Sequence, residues 1–117
     1  MRFLVIEDDK QVCELLCQMV EDLGHEVCGV AHAVRQAQAL IETTQPDALV
    51  VDVDLGKGGS GVDIAVQAYV QRGLRSLFVS GNLDGWVVRE VQAIRPYGLI
   101  AKPFPPEALA ETLRRIA

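Results

Sequence analysis

The sequence predicts an α/β fold, a doubly wound five-stranded parallel sheet with helices on both faces. Short β-branched runs alternate along the whole chain with segments whose apolar residues recur at helical spacing. Such alternation implies parallel pairing through right-handed crossovers. A second observation is the run Ala48-Leu49-Val50-Val51-Asp52-Val53-Asp54-Leu55, closed by Gly56-Lys57-Gly58-Gly59-Ser60-Gly61. An apolar run of this length, rich in valine and closed by glycines, reads as a strand buried on both faces. With 117 residues, half of them hydrophobic, the chain is long enough for one core, and residues 1–117 are read as one domain.

Taken in order, Arg2-Phe3-Leu4-Val5-Ile6 is the first strand and runs into Glu7-Asp8-Asp9. Val12, Leu15, Leu16, Met19, Val20 and Leu23 mark a helix over Lys10 to Leu23, with Gly24 as its terminator. Glu26 to Ala31 is the second strand, and a helix follows from Ala33 to Thr44. Gln45-Pro46-Asp47 turns the chain into the central strand. Ser60 can cap a helix that runs to Gln71. Ser76 to Ser80 is the fourth strand, and Leu83 to Ile94 the next helix, weakened by Gly85 and the pair Val87-Val88. Gly98-Leu99-Ile100-Ala101 is the fifth strand. Pro105 or Pro106 then opens a last helix carrying Leu109, Leu113 and Ile116 to the end.

The net charge of −5 argues against direct nucleic-acid binding. No apolar stretch approaches the roughly 20 residues that span a bilayer, and Met1 leads into a strand without a secretory pattern. Cys13, Cys17 and Cys28 lack zinc spacing and are odd in number. Cys13 and Cys17, four apart, read as helix packing. Together these features lead us to expect a reduced, cytoplasmic protein.

In a doubly wound sheet, ligands bind at the carboxyl ends of the strands. Glu7 and Asp8 follow the first strand, Asp52 stands in the third, Ser80 ends the fourth and Lys102 follows the fifth. Each has a plainer use as a cap, a turn residue or a solvated charge, but their recurrence at strand ends favours one shared crevice. Three carboxylates there would repel, and a hard cation such as Mg²⁺ resolves that repulsion. A carboxylate, Mg²⁺, an ammonium and a hydroxyl suit phosphoryl transfer, with the carboxylate attacking in line.

The order acidic pair, aspartate, serine, Lys102-Pro103 on this pattern resembles the receiver domain of two-component response regulators, over Arg2 to Ala117. The resemblance implies a flavodoxin-like, CheY-like sheet of order 2-1-3-4-5. It implies that Asp52 accepts a phosphoryl group from a sensor histidine kinase or histidine phosphotransfer protein. Asp8, Asp52 and the backbone carbonyl of Asp54 would bind Mg²⁺, with Glu7 acting through water. Lys102 would pair with the phosphoryl group and Ser80 would bond it, in a switch that assists its own phosphorylation and dephosphorylation rather than a turnover enzyme. The signal would pass to a protein target through the fourth helix, fifth strand and fifth helix, a face that could also support a homodimer. A DNA-binding output is not expected in a chain ending at Ala117.

Three features depart from the family pattern. The loop Gly56 to Gly61 is glycine-rich and lacks the usual proline. Leu99 stands where many members carry an aromatic switch residue. Asp54 and Asn82 occupy positions that influence phosphoryl lifetime in the family, and a carboxylate at Asp54 is expected to shorten it.

Two other readings compete. Asp52-Val53-Asp54 also resembles the D-x-D motif of haloacid-dehalogenase-type phosphatases, but that family places its further acidic ligands after the lysine. A pseudo-receiver, an interaction module that takes no phosphate, is disfavoured by the complete set Asp8, Asp52 and Lys102. His25 and His32 read as turn and strand-end residues without partners.

Overall fold

The computed structural model describes residues 1–116. Among them, β1 (Arg2–Ile6), α1 (Lys10–Asp22), β2 (Glu26–Ala31), α2 (Val34–Thr44), β3 (Ala48–Val51), α3 (Gly61–Arg72), β4 (Arg75–Ser80), α4 (Gly85–Gln92), β5 (Gly98–Ala101) and α5 (Pro106–Arg115) alternate without exception. All four strand pairings are parallel, in the order β2-β1-β3-β4-β5.

Successive side chains on a strand point to opposite faces, and this alternation divides the core in two. Phe3, Val5, Ala48, Val50, Leu77 and Val79 pack against α1 and α5 through Cys13, Leu16, Val20, Leu109 and Leu113. Leu4, Ile6, Leu49, Val51 and Phe78 face α2, α3 and α4 through Ile41, Ile64, Ala65, Val87 and Val91. The three central strands are thus buried on both faces, which is why they read as continuous apolar runs.

The ends of the elements follow local chemistry. Asp9 caps α1, its Oδ1 accepting from the N–H groups of Gln11 and Val12 at 2.9 and 3.2 Å. Ser60 caps α3 as expected, accepting from Val62 N at 3.2 Å. The fourth helix is shorter than its pattern suggested, because Asp84 accepts from Val87 N at 3.0 Å and starts the helix at Gly85, leaving Leu83 outside. Pro106 opens α5. The helix stops at Arg115, short of its expected reach, with Ile116 in extended backbone as its C-cap; Ala117 lies outside the described residues.

β3 ends at Val51, four residues before the end of its apolar run. The Asp52 carboxylate accepts its own chain's Asp54 N–H at 3.1 Å, a local turn that competes with the ladder. A single 3-10 turn over Gly56–Gly58 follows.

Candidate functional site

Register brings the polar residues together. Ile6 pairs with Val51 and Val51 with Phe78, while Ser80 pairs with Ala101. The residues that follow these strands therefore sit side by side at the carboxyl edge, where β2 lies on one side of β1 and β3 on the other.

Glu7 is fully buried and Asp52 nearly so. The Lys102 ammonium reaches between them, donating to Asp52 Oδ2 at 2.9 Å and to Glu7 Oε1. Asp8 is exposed. One carboxylate oxygen from each of Glu7, Asp8 and Asp52 lies within 4.8 Å of the others. Ser80 Oγ accepts the Asn82 N–H at 3.1 Å, which leaves the hydroxyl proton free to donate.

The electrostatics follow from this packing. Burial, with the neighbouring Asp52 carboxylate adding to it, pushes Glu7 up to about 7 against the pull of Lys102. Burial also works against the charged form of Asp52. There the Lys102 ammonium, the Ser80 hydroxyl and the Asp54 N–H outweigh it and hold the group below the ordinary carboxylate value. Burial lowers Lys102, yet its bonds to Glu7 and Asp52 leave it raised. The site is a short-range contest between desolvation and pairing.

A hard divalent cation fits this donor set. Three carboxylates cluster around one ammonium that pairs with only two of them; those two are shielded from water, and the third, Asp8, opens the cluster to solvent. The backbone allows the approach: a Cβ at Gly56 would stand 3.3 Å from Asp8 Oδ2. Asp54 itself is exposed, its Oδ1 accepting the Gly56 N–H at 2.9 Å. Leu55 N donates to Gly59 O and Gly61 N to Val53 O; the Asp54 carbonyl takes part in neither bond.

Leu99 lies opposite Phe78 in β5, half-buried against the α2–α4 side of the core. Tyr97 is held by the Arg75 guanidinium, 4.2 Å above its ring, and Trp86 is largely exposed on α4.

The histidines have partners, contrary to expectation. His25 Nε2 lies 3.2 Å from Leu113 O, and His32 Nδ1 lies 2.7 Å from Glu7 O. A signal for the second existed: if β1 and β2 pair in parallel, their following residues become neighbours. Asp9 as the α1 cap was equally readable, standing directly before the periodic segment.

The fold is shared with known proteins. Residues 3–114 match the family model of the response regulator receiver domain. The phyllosphere-induced regulator PhyR of Methylorubrum extorquens is 32% identical over 104 residues, covering 88% of this chain and 38% of that protein. The chain thus spans well under half of the curated relative's length. A solved structure of a variant of the anti-anti-sigma factor PhyR from Bartonella quintana superposes with a TM-score of 0.78 at 26% identity, over 97% of this chain and 46% of that one. The signal receiver domain of a modulated diguanylate cyclase from Desulfovibrio desulfuricans gives 0.84 at 25% identity, over 97% and 90%. The chain belongs to the response regulator receiver domain family.

Proposed function

We propose that the chain is one phosphoacceptor domain in which Asp52 takes a phosphoryl group from a phosphohistidine. The observation that carries this reading is Lys102, whose ammonium lies between the buried carboxylates of Glu7 and Asp52 at the mouth of the crevice. A carboxylate held ionised is a competent nucleophile. One Asp52 oxygen forms the new O–P bond as the N–P bond of the donor breaks, and the electron pair leaves with the imidazole. Lys102 then neutralises one phosphoryl oxygen, and the Ser80 hydroxyl, already oriented by Asn82 N–H, donates to another.

Asp8 and Asp52, with the Asp54 carbonyl, would hold Mg²⁺, and Glu7 would act on it through water. When bound, the ion neutralises charge developing on the transferring oxygens. Asp52→Asn would keep the packing and remove the nucleophile.

The phosphodonor is proposed to be a cytoplasmic sensor kinase or phosphotransfer protein. Beside Lys102, the residues Val12, Leu15, Met19, Pro103, Phe104 and Pro106 line an open groove of about 520 Å³. Leu15 is half exposed there, and such a groove suits the apolar face of a helix that carries a histidine.

The output is proposed to run from Ser80 to the face of α4, β5 and α5, where exposed Trp86 and half-buried Leu99 lie. Its target is a protein, either separate or further along the same polypeptide. An anti-sigma factor is the class that the anti-anti-sigma relative suggests.

Incubation with acetyl phosphate and Mg²⁺, followed by peptide mapping, tests the acceptor. Labelling at Asp52 is expected; a label at another residue would displace this reading.

A further inference from the structure

We propose that His32 is a positioning residue for the acidic pair, acting through the backbone of Glu7. The inference rests on the reading of Glu7 and Asp8 as the cation-binding carboxylates. Glu7 is the first residue past β1 and is fully buried. Its N–H still belongs to the β1–β2 ladder, donating to Ala31 O at 2.9 Å. Its carbonyl lies beyond the ladder, and a buried carbonyl left without a donor is costly.

His32 supplies that donor. Nδ1 lies 2.7 Å from Glu7 O. A carbonyl can only accept, so Nδ1 carries the proton and the ring is held in one orientation. The histidine is itself anchored on two sides. Its N–H donates to Gln36 Oε1 at 2.7 Å, in the first turn of α2. Its carbonyl abuts the loop that follows Asp54, so closely that a Cβ at Gly58 would stand 2.9 Å from it.

The ring therefore ties the carbonyl between Glu7 and Asp8 to two elements outside β1. Rotation of that peptide plane would swing both carboxylates, since one precedes it and the other follows it. His32 restrains this rotation without touching the cation. Groups that orient liganding residues in this way are commonly worth an order of magnitude or more in metal affinity.

Isothermal titration of the whole chain with MgCl₂ tests the role. His32→Leu, which removes the donor, is expected to weaken Mg²⁺ binding by about tenfold. His32→Asn keeps an N–H at the δ position and is expected to restore most of that loss. His32→Gln moves its donor one atom outward and should behave as the leucine variant, in a form that keeps a polar surface.

A metal-independent readout is ¹⁵N NMR of the imidazole, where a protonated, slowly exchanging Nδ1 is expected in the parent. Parent-like affinity in both His32→Leu and His32→Gln, or an unprotonated Nδ1, would overturn the inference alone. A parent protein that binds no Mg²⁺ would overturn the reading beneath it, and the inference with it.

Discussion

Asp54 carries a full charge two residues from the proposed acceptor, yet its side chain is committed to the loop through the Gly56 N–H at 2.9 Å. Asn can keep that acceptor while losing the charge, so Asp54→Asn isolates the electrostatic contribution. We predict that it lengthens the phosphoryl lifetime by about three- to tenfold, the effect of roughly 1 kcal/mol on the hydrolysis barrier. An unchanged dephosphorylation half-life would refute a role for the charge. A different residue tests the stability side of the account. Ser76 is fully buried in β4 and its hydroxyl has no hydrogen-bond partner among the described residues. Deleting an unpaired buried hydroxyl removes a desolvation cost, so Ser76→Ala should stabilise the fold by about 1 kcal/mol. Urea denaturation would show this as a higher midpoint with an unchanged slope.

At the scale of elements, the loop between β3 and α3 decides where the acceptor sits. Gly61 N donates to Val53 O at 2.7 Å, and a Cβ at Gly61 would stand 1.8 Å from the Asp52 carbonyl oxygen. That contact is with backbone and cannot be relieved by a side-chain rotation. Gly61→Ala should therefore cost on the order of 2–3 kcal/mol and slow Asp52 labelling as well, whereas alanine at exposed Gly73 leaves Asp52 alone. Thermal unfolding and labelling rates on the two variants separate these effects. The glycine-rich composition was legible in the sequence, but which glycine carries the close approach was not, since that depends on where β3 stops. The apolar run continues to Leu55, but the bond from Asp54 N to the Asp52 carboxylate and the loop bonds from Leu55 N to Gly59 O and Gly61 N to Val53 O turn the chain after Val51. The fourth helix was overextended for a similar reason, because apolar spacing at Leu83 carried no information about the Asp84 cap. The gathering of Glu7, Asp8, Asp52, Ser80 and Lys102 at one edge was legible, because parallel pairing brings the strand ends together; the strand order was legible only through the resemblance to receiver domains. The position of Lys102 between two particular carboxylates, 95 and 50 residues away, was not.

For the whole molecule, the buried charges tie stability to pH and to the cation. Glu7 is raised from 4.5 to about 7. A carboxyl group raised in the folded state favours folding while protonated, and this contribution is lost as pH rises from 4.5 through 7. Asp52 is lowered, so its contribution is present above its ordinary value of 3.8 and is lost as pH falls through its folded value. The metal-free protein should accordingly lose stability between about pH 4.5 and pH 7, by on the order of 1–3 kcal/mol from Glu7. Added Mg²⁺ should oppose that loss increasingly as pH rises, because the ion favours the ionised carboxylate. Glu7→Gln should flatten the profile, raise the melting temperature of the metal-free protein near pH 8 and weaken Mg²⁺ binding. A steep profile retained in Glu7→Gln, read by thermal unfolding, would contradict this assignment. The central claim remains that Asp52 receives a phosphoryl group from histidine. Its most direct test is phosphotransfer profiling of the chain against the sensor kinases of its own organism, with Asp52→Ala in parallel. Rapid, Mg²⁺-dependent labelling by one kinase, abolished in Asp52→Ala, is the predicted result; undiminished labelling of Asp52→Ala would contradict it.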